Sequence, residues 1–162
     1  MTLRRAATLV AMALMAAIAG GCSKAPPAGA AAPHRHEHHP PHGGTPVVLG
    51  DEVYHVELVR DGDSGVLQAY ILDGEMENFI RSSAPSIEID ATFSGRTERL
   101  LLAAVANPAT GETVGDTSLF QARADWLKAT GQFDGVLRSV PVRGTTFSDV
   151  RFNFPRGNDT DG

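Results

Sequence analysis

Residues 52–72 read EVYHVELVRDGDSGVLQAYIL, two alternating apolar runs separated by a Gly/Asp turn, and no other stretch narrows the fold so far. In EVYHVELVR, Tyr54, Val56 and Leu58 share one face while His55 and Glu57 share the other, the period of a strand. DGDSG (61–65) turns the chain and VLQAYIL (66–72) returns as its partner, which makes a hairpin. The pattern repeats downstream. PSIEIDATF (85–93) places Ile87, Ile89 and Ala91 on one face, SGRT (94–97) turns it, and RLLLAAVAN (99–107) reads as a buried central strand. PATGETVGDT (108–117) is a long loop and SLFQARADWL (118–127) a further strand. GQFDGVLRSVPVRG (131–144) and TTFSDVRFNFP (145–155) form a closing hairpin around Arg143-Gly144, with Pro141 marking an edge or a bulge. DGEMENFIRSS (73–83) reads equally as loop or short strand. Regularly spaced short strands without an amphipathic helix specify an all-β fold, an antiparallel Ig-like β-sandwich of about seven to eight strands over residues 47–155. About 110 residues suffice for a real core. Residues 156–162 read as a disordered acidic tail.

Ahead of this domain the composition is of two kinds. MTLRRAATLVAMALMAAIAGGC opens the chain with Arg4 and Arg5, then an uncharged apolar run from Ala6 to Ile18. A transmembrane helix needs about 20 apolar residues, so the run fits the h-region of a secretory signal over residues 1–21. Ala19-Gly20-Gly21-Cys22 ends it with small residues and the chain's single cysteine. This resembles a bacterial lipobox, with Ala19 where Leu is more usual, and the resemblance implies a lipidated Cys22 as the mature first residue. A signal cleaved nearby, or an uncleaved anchor, would leave Cys22 incidental. Two or more acyl chains give durable membrane attachment. Ser23 after the cysteine, by resemblance to Gram-negative lipoproteins, implies a periplasm-facing protein on the outer membrane rather than the inner. With Cys22 acylated, no thiol remains for disulfide, redox or thiolate-metal chemistry.

Residues 22–46 then form a lipid-anchored, flexible stalk. SKAPPAGAAAPHRHEHHPPHGGTP contains no large aliphatic or aromatic residue before Val47, so it cannot bury enough apolar surface to offset the entropy of ordering. The stalk carries His34, His36, His38, His39 and His42, with Glu37 among them: five of the chain's six histidines within nine residues. Neutral imidazole binds Zn, Cu(II) or Ni, and a flexible segment can wrap several such nitrogens around one ion, its selectivity following the Irving–Williams order. Met76 is the one methionine left after signal removal, which argues against a dedicated Cu(I) site. A solvated spacer, or a buffer that charges as pH falls through about 6.5, accounts for the same residues. Interruption of the run, and its place downstream of a signal, argue against an expression tag.

Within the domain, His55 shares a face with Glu57, and a fold-back of His42 would complete a metal site with both. The plainer reading is a half-exposed strand histidine beside a solvated glutamate. Asp61 and Asp63 sit in a hairpin turn, because the calcium-loop positions that require Gly and Glu hold Val66 and Leu72. Trp126 is read as core, with a carbohydrate or partner platform as the alternative. Without its first 21 residues the chain has 12 Lys+Arg against 19 Asp+Glu, so a nucleic-acid partner, which requires a positive footprint, is not expected. One domain histidine, no free thiol and neither a G-x-S-x-G nor an H-E-x-x-H motif argue against an enzyme.

Two resemblances can be stated. ILDGEMENFIRSSAPSIEI and FQARADWLKATGQFDGVLRSVPVRGTTFSDVRFNF resemble FixH-like and YtkA-like periplasmic domains, which implies an Ig-like sandwich ending in a Gly-aromatic strand and a closing hairpin. HGGTPVVLGDEVYHVELVRD, AYILDGEMENF and ANPATGETVGDTSLFQARADWL resemble small periplasmic domains associated with adaptors of heavy-metal RND efflux pumps. That resemblance implies a metal-handling setting and an efflux adaptor or another envelope protein as partner. The competing expectation is a non-catalytic interaction module whose His-rich stalk is only a spacer.

Overall fold

The computed structural model describes residues 39–159. The first strand is one that alternation does not announce: β1 (Thr45–Leu49) is five residues long and includes Pro46. It is followed by β2 (Tyr54–Asp61), β3 (Val66–Asp73), β4 (Ser86–Phe93), β5 (Arg96–Ala104) and β6 (Leu119–Arg123). A one-turn helix α1 (Trp126–Ala129), then β7 (Phe133–Val142) and β8 (Thr145–Phe154), complete the order. The expected antiparallel all-β fold forms, with eight strands hydrogen-bonded in the order β1-β2-β3-β6-β5-β4-β7-β8.

Two four-stranded halves can be distinguished, because β5 and β6 share only the pairs Ala103–Gln121 and Ala104–Phe120. The halves curl to face each other. Val47, Val56, Leu58 and Ile71 from one meet Ile89, Leu102, Leu137 and Phe152 from the other in a single core. The outer edges approach as well. Asn158 donates from Nδ2 to the Val48 carbonyl and accepts the Val48 amide, at 3.1 and 2.7 Å. Its side chain thus satisfies the edge of β1 as a neighbouring strand would, and the sheet nearly closes into a barrel. Residues 156–158 are therefore part of the fold, where sequence suggested an unstructured tail: one asparagine amide supplies both members of a backbone bonding pair.

Local chemistry explains the hairpins. Ser94-Gly95 and Arg143-Gly144 both adopt positive φ, the backbone that two-residue antiparallel turns demand. In the β2–β3 turn Asp61 accepts from the amides of Asp63 and Ser64 and from the Ser64 hydroxyl, which lowers its pKa.

Two details depart from the sequence reading and a third follows it. β6 stops at Arg123 and residues 126–129 coil into α1, burying Leu127 and stacking Trp126 on Phe93 at 4.4 Å. β5 is not buried on both faces, since Leu100 and Leu102 are in the core while Leu101 is 61 % exposed. Pro141 lies past the last β4–β7 pair (Glu88–Ser139) and pairs with Thr146 of β8 alone, so its missing N–H breaks no ladder with β4.

The outer faces of the halves differ. On the β4/β5/β7/β8 half, Arg99 bridges Glu88 and Asp90, and Arg138 bridges Asp90 and Asp149, a solvated ladder. On the β2/β3 half, His55, Glu57 and Leu72 also point outward, yet each is completely buried. Something covers them.

Candidate functional site

The cover over Glu57 is the end of the His-rich segment. Pro40 accepts the Gly43 amide at 2.9 Å, and this turn lays residues 42–44 against β2. Glu57 Oε1 accepts the amides of His42 (2.8 Å) and Gly44 (2.9 Å), while Oε2 accepts from His42 Nδ1 at 2.8 Å. A carboxylate acts as acceptor here, so the proton of the imidazole belongs on Nδ1 and Nε2 is the basic nitrogen. Three donors on one buried carboxylate offset its desolvation. Gly44 is required by close approach: a Cβ there would lie 2.6 Å from the Leu58 carbonyl oxygen and 2.8 Å from Glu57 Cγ.

The His42 ring stacks on Tyr70, the cross-strand partner of Glu57, with centroids 4.0 Å apart and planes within 17°. Burial, and then the nearby Glu57 charge, raise the Tyr70 pKa. Phe79 tilts against both rings, at 5.7 Å from His42 and 5.9 Å from Tyr70.

Of the sequence-derived candidates, His42 and Glu57 are brought together. His55 is engaged differently: its Nδ1 lies 3.3 Å from the carbonyl oxygen of Asp73. His55 and Glu57 are both 0 % exposed, where the plainer sequence reading had a half-exposed histidine and a solvated glutamate. The difference arises because the face they share is roofed by segments the alternation cannot report. Leu72 on the same face bridges to Phe79, and Met76, in the segment between them, is also buried. His39 is exposed at the start of the described chain, while Cys22, His34, His36 and His38 lie outside the described residues. Among the described residues no three His, Cys, Asp or Glu side chains group closely enough to hold a metal ion.

Beside His42 the surface opens into a cleft of about 460 Å³. Its far wall comes from 73–83, which in sequence reads equally as loop or short strand, and from 105–118, the connection between β5 and β6. The bridges Ser82–Thr117 and Asn107–Glu112 tie these segments together. Arg81 Nη1 donates to Asp116 at 2.9 Å and Nη2 to the Thr110 carbonyl at 2.6 Å. Glu112, 7 % exposed, accepts from the Ser118 amide (2.8 Å), the Ser118 hydroxyl (2.7 Å) and the Thr110 hydroxyl (2.8 Å). Burial pushes its pKa up, but these hydrogen bonds and the Arg81 charge outweigh burial and leave it below the ordinary value. Tyr70, Phe79, Arg81 and Glu112 were not singled out in sequence. The legible signal was the length of the 108–117 loop, with Thr110 and Ser118 at hydrogen-bonding separations from Glu112.

Compared with known protein families, curated proteins and solved structures, the chain has no significant match.

Proposed function

We propose that this protein is a lipid-anchored, periplasm-facing protein of the cell envelope that captures a divalent transition metal through its His-rich segment. The β domain serves as a non-catalytic docking body, accessory to metal efflux or homeostasis, with an RND-type efflux adaptor or another envelope protein as its partner. One observation carries the reading: His42, the last histidine of the cluster, is held on the domain by the buried carboxylate of Glu57. A carboxylate on one ring nitrogen orients an imidazole and raises the basicity of the other, the arrangement seen behind metal-bound histidines. The donor set fits Zn²⁺, Cu²⁺ or Ni²⁺. His42 Nε2 would supply one ligand, and His34, His36, His38 and His39 the others.

A second reading has its own support. Glu57 Oε1 accepts two backbone amides that need no imidazole, so the contact also serves to pin a spacer to the sheet. Calorimetric titration of the full chain with Zn²⁺, Cu²⁺ and Ni²⁺ separates the two, run beside His42→Ala and a variant with all five histidines replaced by alanine. Near-stoichiometric binding, weakened in His42→Ala and abolished in the five-fold variant, is the expected result. Loose multi-ion binding that His42→Ala leaves unchanged would reduce the segment to a spacer.

A further inference from the structure

The cleft beside His42 has two unlike walls, each set in place by the protein's own contacts. One is aromatic: the stacked His42–Tyr70 pair and Phe79, a residue 46 % exposed although its ring contacts both. Core packing does not require so large an apolar ring at the surface. The other wall is polar, and its charges are already answered. Arg81 is bound to Asp116 and to the Thr110 carbonyl, and Glu112 accepts three hydrogen bonds from Thr110 and Ser118. At about 460 Å³ the space is within the range of small-molecule sites, which combine an apolar lining with a few fixed polar groups.

Charge narrows the occupant. One guanidinium faces two carboxylates, so an anion meets net repulsion. The buried carboxylate is saturated with donors, so a cation would lose its hydration for little return. An uncharged ligand is left. The aromatic wall offers the half-exposed Phe79 ring, tilted by 50° to His42 and 56° to Tyr70, as a platform for an apolar ring face. The rim offers two carboxamides: Asn78 gives one N–H to Asp73 and keeps its oxygen and a second N–H, while Asn107 accepts the Ala109 amide and keeps both of its N–H groups. A pyranose matches both demands, with a face of C–H bonds and an equatorial belt of hydroxyls.

We propose that this cleft is a carbohydrate subsite that takes one uncharged sugar ring, stacked on Phe79 beside the His42–Tyr70 pair with its polar substituents at Asn78 and Asn107. The site stands apart from the metal reading, because its platform is the Phe79 ring and not a nitrogen of His42.

The test is an NMR titration of the isotope-labelled full chain with two neutral probes, chitotriose and maltotriose, beside Phe79→Ala and Asn107→Ala. Saturable shifts at residues 78–81 and 107–118 are expected from at least one sugar. Removing the Phe79 ring should weaken that binding about tenfold, as loss of one aromatic contact does. No shifts at millimolar sugar, shifts confined to another face, or unchanged affinity in Phe79→Ala would each overturn the proposal. Shifts from tetramethylammonium with none from either sugar would overturn it too, in favour of a cation cage. Zn²⁺ titration of Phe79→Ala keeps the readings distinguishable, since metal binding should be unaffected there whether or not sugar binds.

Discussion

Glu57 and Glu112 are both carboxylates removed from water, at 0 and 7 % exposure, and each is satisfied chiefly by hydrogen bonds. Their donors come from opposite ranges of sequence. Glu112 accepts from Thr110 and Ser118, two and six residues away, so the loop builds its own acceptor site. Glu57 sits in a regular strand and accepts from His42 and Gly44, fifteen and thirteen residues upstream. The first arrangement shapes a loop. The second fastens a segment to a sheet, so its loss should be felt both in global stability and at residues 39–44.

The largest effect is expected from Glu57→Ala, which strips the acceptor from two amides and an imidazole over apolar neighbours. A loss of about 3 kcal/mol in urea unfolding is expected, with the His42 and Gly44 amides exchanging at the rate of free chain. Full protection of those amides in the variant would break the comparison. Gly44→Ala should follow at about 2 kcal/mol, because the new methyl group meets the Leu58 carbonyl and the segment must lift. A change within about 0.5 kcal/mol there would mean that the backbone yields without losing the contact.

Glu112→Ala should cost about 1–2 kcal/mol and remain local, with faster amide exchange confined to residues 107–118 and the His42 amide still protected. Acid sharpens the same point. The Glu112 pKa is depressed below 4.5 in the folded protein, so its contribution is fully present above that value and is lost as pH falls through the lower, folded one. Hydrogen exchange across this range should show the 107–118 loop loosening over that window.

The smallest change is expected from His42→Phe, at about 1 kcal/mol or less. It keeps the stack on Tyr70 and the backbone donor to Glu57 Oε1 and removes only the Nδ1 bond. A larger loss would show that the imidazole, rather than the two amides, holds the segment down.

Most strands were legible because alternation reports which side of a segment is apolar, and Val56, Leu58, Ile87 and Ile89 are buried as that pattern requires. Turns were legible where Gly and Asp carry the geometry, as at 61–65 and 143–144. β1 was not: five residues containing a proline show little alternation, and the strand is specified by its register against β2, Thr45 opposite Leu58 through Leu49 opposite Tyr54. The helical turn at 126–129 was hidden for a related reason, since Leu127 and Trp126 would serve equally well as strand residues.

By itself, then, the sequence determined an antiparallel β domain, its hairpins, and a histidine cluster immediately ahead of it. All three rest on neighbours along the chain. Tertiary structure alone decided that His42 is seated on Glu57, that Glu57 is buried rather than solvated, and that 73–83 and 105–118 meet to wall a cleft. Period-two patterning identifies the core face of a strand. Burial of its other face depends on which distant segment supplies the hydrogen-bond donors, and no local pattern encodes that.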